Sequence, residues 1–195
     1  MTALRKPAEL LTPEEYLAQE RTAEFRSEYF NGVVVAMAGG TLEHSVIATE
    51  LIYQLRRQIE GRPCLVFNSD MKVRVERANL FRYPDISALC GPVMLHDRER
   101  DAYCNPALIV EVLSPSTAAV DRGEKFALYR LLDSLVEYLL VAQDAPRAEL
   151  FRKLPDGTWI TEAFTSPEDV ITLDSIGASL RLADVYSKVA LSSTA

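Results

Sequence analysis

This sequence predicts an α/β fold, a mixed β-sheet flanked by helices with additional β-hairpins, and three observations carry that expectation. Ala107-Leu-Ile-Val-Glu-Val-Leu113 is a nearly continuous apolar run, as in a central strand buried on both faces. Ile47, Leu51, Leu55 and Ile59 recur every four positions, the stripe of a helix packed on a core. Strand-sized apolar runs then alternate with helical segments and glycine-containing turns along the chain.

The elements follow in order. Residues 1–11 and 192–195 read as tails, and residues 12–190 as one domain. Thr12-Pro13-Glu14-Glu15 starts a helix: Thr caps it, Pro takes the first position, and carboxylates fill the first turn. That helix is expected to reach residues 18–19. Glu28-Tyr29-Phe30 leads into Asn31-Gly32, a hairpin turn signal, and residues 33–37 form the returning strand. Gly39-Gly40 breaks the chain before a helix over 43–59. Strands are expected over 63–68, 71–75 and, introduced by Pro84, 85–89. The apolar run over 107–113 ends at Ser114-Pro115-Ser116-Thr117, which caps a helix over 118–132. Residues 136–142 are a further buried strand. Residues 147–153 and 158–163 form a hairpin around Pro155-Asp156-Gly157, and a short strand and a helix over 182–188 close the chain.

Composition bounds the function. The chain has 195 residues, 48% hydrophobic and 25% charged, the balance of an ordinary globular protein, which excludes disorder as the main state. No apolar run approaches ~18 residues, and no apolar stretch follows Arg5 and Lys6, so neither a transmembrane helix nor a signal peptide is expected. Cys64, Cys90 and Cys104 are an odd count without CxxC spacing, which argues against a disulfide framework and a thiolate zinc site. With only His44 and His96 besides, any metal is expected to be held mainly by oxygen, hence Mg²⁺ or Mn²⁺, in a cytoplasmic protein. The net charge of −7 argues against a protein that coats nucleic acid. Residues 51–85 nevertheless hold 7 basic and 4 acidic residues, a local excess that fits either a phosphate-facing surface or a solvated face.

Chemistry is signalled by Glu111, a carboxylate inside the apolar run. Burying it costs several kcal/mol unless it is paired, protonated or bound to a cation. Asp85, after Pro84, opens a second apolar strand. Two carboxylates at the ends of adjacent strands can converge on one Mg²⁺, which offsets their repulsion and supplies water for attack on a phosphodiester. A cation must then stabilise the charge of the transition state, and Lys125, two turns into the following helix, is the best placed to reach the carboxylates. Its alternative is a solvated pair with Asp121 at i−4. Lys72 is a second candidate from a neighbouring strand. Asp70 is either a third carboxylate beside the metal or a turn former in Asn68-Ser69-Asp70. His44 shares a helical face with Ile47, Leu51 and Leu55, which favours a buried, hydrogen-bonded imidazole over a ligand. Ser114 and Ser116 are explained by capping.

Pro84-Asp85 followed by Glu111-Val-Leu113 resembles the PD-(D/E)XK nuclease pattern. Tyr83-Pro84-Asp85-Ile86, Glu111-Val-Leu-Ser-Pro-Ser-Thr117, Asp121…Lys125…Tyr129 and Glu137-Tyr138-Leu139 together resemble the Uma-type restriction endonuclease family. Glu28…Asn31-Gly32 and the His44 helix are similar to further elements of that family, so the resemblance spans about residues 12–188. It implies a restriction-endonuclease-like fold and a Mg²⁺- or Mn²⁺-dependent endonuclease acting on nucleic acid, DNA first. Asp85 and Glu111 would be metal ligands, with Glu28 reaching the site from the N-terminal segment. In the wider superfamily a lysine stands two positions after the glutamate. Leu113 occupies that position here, and the resemblance implies that Lys125 has taken the role. Nucleases of this superfamily often cut two strands as dimers, which implies a homodimer. The alternative, kept open by Leu113, is a catalytically inactive nuclease-fold protein that binds nucleic acid or regulates.

Overall fold

The computed structural model describes residues 10–114 and 117–190. Helix α1 (Pro13–Glu20) opens with a complete capping box: Thr12 Oγ1 accepts from Glu15 N–H at 3.2 Å, and a Glu15 carboxylate oxygen accepts from Thr12 N–H at 2.8 Å. Strands β1 (Ser27–Phe30) and β2 (Val33–Ala36) form the expected hairpin. Asn31 and Gly32 take φ of 48° and 90°, the two positive values that a tight hairpin turn requires. Helix α2 (Leu42–Gln58) is capped by Thr41 and buries Ile47, Leu51 and Leu55. Then come β3 (Cys64–Asn68), β4 (Lys72–Val75), a 3-10 turn (Glu76–Ala78), β5 (Leu80–Arg82), β6 (Ile86–Cys90), β7 (Ala102–Tyr103) and β8 (Leu108–Leu113). A helical stretch follows in three parts: α3 (Ala118–Val120), a π-helical turn (Asp121–Lys125) and α4 (Phe126–Tyr129). Strands β9 (Glu137–Ala142), β10 (Ala148–Lys153), β11 (Trp159–Phe164), β12 (Val170–Leu173) and β13 (Ala178–Arg181) and helix α5 (Leu182–Val185) complete the order.

Among the described residues the strands make a six-stranded sheet, β11-β10-β9-β8-β6-β3, a five-stranded sheet, β2-β1-β5-β4-β7, and the β12–β13 hairpin. The long apolar run is the central strand β8, parallel to β9 and antiparallel to β6. Its side chains alternate between two cores, as the pleat dictates. Leu108, Val110 and Val112 join α2, β12, β13 and α5 on one face; Ile109 and Leu113 join Phe126, Tyr129 and Tyr138 on the other. Val73, Val75 and Leu80 of the five-stranded sheet enter that second core, so it is closed partly by a sheet rather than wholly by helices.

Several expectations are corrected. The helix expected over 118–132 ends its α part at Tyr129 and contains a π turn. Strands β5 and β7, of three and two residues, are too short to show a period, and they exist because neighbours pair with them. The basic excess over 51–85 divides: Arg56, Arg57, Arg62 and Arg77 are exposed, as on a solvated face, whereas Lys72, Arg74 and Arg82 are buried. They meet Asp101, Asn79 and Glu28 respectively. Cys64 and Cys90, against the expectation from the odd count, are joined in a disulfide. The β3–β6 register sets them directly opposite, which a separation of 26 residues does not reveal. That pairing removes the cysteine count as a basis for assigning a compartment. None of the described helices is long and apolar enough to cross a membrane. The Ser116 capping position lies outside the described residues. Ser114 Oγ accepts from Thr117 N–H at 3.2 Å in the turn before the helix, whose N-cap residue, Thr117, makes no side-chain cap bond.

Glu137, part of the family-like string, is a structural clamp. Its buried carboxylate accepts from Arg152 Nε at 3.2 Å, from the N–H groups of Asp174 and Ser175 at 3.1 Å each, and from Ser175 Oγ. It ties β9 to β10 and to the turn after β12. Glu137→Ala leaves these donors without their acceptor and is expected to lower stability by about 3 kcal/mol. Urea unfolding checks this; a loss under about 1 kcal/mol rejects the clamp.

Candidate active site

The register of the central strands brings the two acids together. Ile86 pairs with Val110 across antiparallel β6 and β8, so one step further along the ladder Asp85 stands beside Glu111. Asp85 is held there by two donors on one oxygen: Val112 N–H at 2.7 Å and His44 Nε2 at 3.0 Å. His44 comes from the first turn of α2, so the helix fixes the acid across the mouth of the sheet.

Glu111 lies on the β8 face that looks toward the helical stretch 118–129, and its side chain is 4% exposed. Asp121, Lys125 and Tyr129 are spaced four apart on that stretch. The π turn widens the coil, and residues four apart come close to alignment on one side. All three reach the buried acid's surroundings. Lys125 Nζ is 3.5 Å from Glu111 Oε2 and 2.8 Å from Asp121 Oδ1, and Tyr129 OH donates to Glu111 Oε1 at 3.3 Å. The Lys125–Asp121 contact is an ion pair rather than a well-aimed hydrogen bond. Glu28, on β1, points to the same place and pairs with Arg82 Nε at 3.4 Å. Together these residues face a cleft of about 920 Å³, walled by the β1–β2 hairpin, by residues 37–41 and by the start of α2.

Charge in the cleft is uneven. Burial pushes Glu111 up to about 8; Lys125 opposes this, and Asp85, Asp121 and Glu28 add to it. Burial alone would lower the Lys125 ammonium, but Glu111 and Asp121 outweigh it and hold the amine protonated well above its ordinary range. The His44 imidazole is raised above its ordinary value by its hydrogen bond to Asp85, against burial and Lys125. A group raised on folding stabilises the fold fully below its unfolded value and loses that contribution as pH rises through the folded one. His44 is therefore expected to titrate above about 6.5 by NMR, and Asp85→Asn to bring it down. An unchanged titration in that variant rejects the pair.

The donor set is two carboxylates at adjacent strands, Asp85 and Glu111, while Asp121 is engaged by Lys125 at 2.8 Å. Such oxygen donors suit a hard divalent ion that keeps several waters, and a buried acid raised by its acidic neighbours is one that a cation would relieve.

The other candidates fall elsewhere. Lys72 Nζ donates to Asp101 at 2.9 Å, lies over the Tyr83 ring and does not line the cleft. Asp101 also holds Arg21, and these two partners pull it below the usual carboxylate value although burial acts the other way. Asp70 is a turn former: its N–H donates to Asn68 Oδ1 at 3.1 Å, and its carboxylate pairs with Arg26, which lines the cleft although Asp70 itself does not. Neither joins Asp85 and Glu111. Tyr129 was visible in the sequence only as a member of a spaced string, and Asp121 also as the i−4 partner of Lys125, a contact that forms at 2.8 Å. Arg82 gave no signal, since an arginine in a three-residue strand looks like any surface charge.

Residues 13–184 match the Uma2 family, described as "Putative restriction endonuclease". The chain belongs to this family. Two relatives come from Synechocystis sp. (strain ATCC 27184 / PCC 6803 / Kazusa). The uncharacterized protein slr1290 is 38% identical over 185 residues, 94% of this chain and 95% of that protein. The uncharacterized protein sll1609 is 34% identical over 151 residues, 77% and 85%. Among solved structures, a putative nuclease belonging to DUF820 from Anabaena variabilis ATCC 29413 superposes with a TM-score of 0.73 at 19% identity. It covers 91% of this chain and 98% of that one. At that identity the likeness establishes the fold, which is the nuclease-like mixed α/β architecture expected from the Uma-type motifs.

Proposed function

We propose that this Uma2 protein is a Mg²⁺- or Mn²⁺-dependent endonuclease that hydrolyses phosphodiester bonds of DNA. The observation that carries the reading is Lys125: a protonated amine held between Glu111 and Asp121 at the floor of an open cleft, beside two carboxylates suited to a divalent ion. Asp85 and Glu111 hold the ion. When bound, it supplies Lewis acidity at the scissile phosphate and lowers the pKa of water.

The chain's own residues do the rest. His44 and the Val112 N–H fix Asp85, so its free oxygen stays aimed into the cleft. Tyr129 orients Glu111. Lys125 lies too high in pKa to serve as a base at neutral pH; its charge stabilises the negative charge that builds on the phosphoryl oxygens as the new P–O bond forms and the P–O3′ bond breaks. The family description supports DNA as substrate. A homodimer would bring two such sites to two strands, and the exposed Val33 and Val35 on the edge strand β2 support association there.

Calorimetric titration with Mn²⁺ and a supercoiled-plasmid cleavage assay test the reading together. One ion bound per chain and metal-dependent nicking are expected. Leu113 at the usual lysine position favours one rival, an inactive nucleic-acid-binding module. DNA binding with no cleavage under any divalent ion would select that rival.

A further inference from the structure

Away from the cleft, three metal-ligating side chains meet that the proposed nuclease does not use. Glu76 opens the 3-10 turn after β4, His96 lies between β6 and β7, and Cys104 directly follows β7. One ligand atom from each lies within 4.8 Å of the other two. The backbone explains the meeting. Parallel pairing of Val73 with Tyr103 carries the end of β4 alongside Cys104. The Leu95–Tyr103 bridge, with His96 N–H donating to Ala102 O at 2.9 Å, lays His96 beside the same segment. The imidazole is then fixed edge-on against Phe81, 5.0 Å between ring centres.

A second observation points to a ligand. The His96 Nδ1 atom is buried and makes no hydrogen bond among the described residues, on a side chain that is 19% exposed; Glu76 Oε1 lies 3.7 Å away, beyond hydrogen-bond distance. A buried ring nitrogen without a hydrogen bond is destabilising, and a bound ion would relieve it. Tetrahedral zinc, with bonds of about 2.0–2.3 Å, sets its ligand atoms about 3.5 Å apart. The three side chains are thus within small rotations of that geometry.

We propose that Glu76, His96 and Cys104 form a second metal site that takes a zinc-like borderline divalent ion. The thiolate and the imidazole select against Mg²⁺, which prefers oxygen. Arg74 follows Val73 in the parallel register with Tyr103, so it lies next to Cys104; burial and Glu76 push the thiol up, and Arg74 opposes them. On binding, the thiol gives up its proton, the imidazole ligates through a ring nitrogen in its neutral form, and carboxylate and thiolate together balance the ion's two charges. The fourth position is left to water. The proposal departs from the expectation that the cysteine count argues against a thiolate zinc site, because spacing along the chain could not show that residues 76, 96 and 104 are neighbours in space.

Co²⁺ titration of the chelator-treated full chain, with the Cys64–Cys90 disulfide left intact, tests the site through the thiolate-to-cobalt charge-transfer band. The band should saturate at one equivalent, persist in Glu111→Gln, and vanish in Cys104→Ser. Glu76→Gln, at an exposed side chain that does not threaten the fold, should weaken cobalt at least about tenfold. Zn²⁺ should displace the cobalt and raise the melting temperature of the wild-type chain but not of Cys104→Ser. No band, or an equal band in Cys104→Ser, overturns the proposal. Because the Glu111→Gln background removes the oxygen-donor site, failure here is distinct from failure of the nuclease reading.

Discussion

Asp85→Asn and Glu111→Gln are each expected to reduce metal-dependent cleavage of supercoiled plasmid by about a thousandfold, because several kcal/mol of transition-state stabilisation pass through the bound ion. Their effects on the fold should differ. Asp85 is fastened by His44 and by Val112 N–H, so Asp85→Asn loosens α2 from the sheet and costs some stability. Glu111 is a buried acid raised to about 8 against an ordinary 4.5. Between those values the folded state binds more protons than the unfolded state, so this group's contribution to stability falls as pH rises, and levels off above 8. Glu111→Gln removes the fall. In the absence of metal the variant should gain on the wild type from pH 5 to pH 8 in urea unfolding while its cleavage is lost. The same linkage makes ion binding release protons below about pH 8, so affinity for Mn²⁺ should rise with pH up to that point. Calorimetry in two buffers of different ionisation enthalpy reads the proton count. Wild-type cleavage in either variant rejects the assignment of the two acids, and a pH-independent stability difference rejects the buried-acid account of Glu111.

Lys125→Met separates the roles within the cleft. Cleavage should fall about 100- to 1,000-fold through loss of the charge that stabilises the phosphoryl oxygens. Ion affinity should not fall with it and should rise, because a competing cation has left Glu111 and Asp121. Removing the amine also leaves two buried acids facing one another, so stability should drop by about 3 kcal/mol, and by more at high pH, where both are ionised. A variant that loses ion binding and cleavage together would mean that Lys125 supports the architecture rather than the chemistry. A variant that keeps full cleavage would return Lys125 to a structural ion pair.

Most elements were legible because their signals are local. Thr12 with Glu15, Asn31-Gly32 and the stripe Ile47, Leu51, Leu55 each act within a few residues, and each appears where expected. Glu111 was legible as an anomaly because an acid in an apolar strand demands compensation wherever the strand lies. What was not legible depended on register. The β6–β8 ladder places Asp85 beside Glu111, the β3–β6 ladder joins Cys64 to Cys90, and the β4–β7 pairing gathers Glu76, His96 and Cys104. A slip of one residue in any of these would turn the side chains to the opposite face without altering the hydrophobic pattern that sequence reading relies on. Lys72 shows the same limit from the other side: it is basic, near Asp85 in sequence and on a strand, yet packing commits it to Asp101.

From its residues alone, this protein was bound to have a central buried strand carrying one acid, a capped helix to either side of it, and a string of spaced residues that marks its family. Those features follow from side-chain preference and period, which act at short range. Which acids share a cleft, which lysine reaches them and which cysteines meet were settled by strand pairing and by one widened helical turn. Those are contacts between segments far apart in the chain, and their free energy exists only once the sheets have assembled.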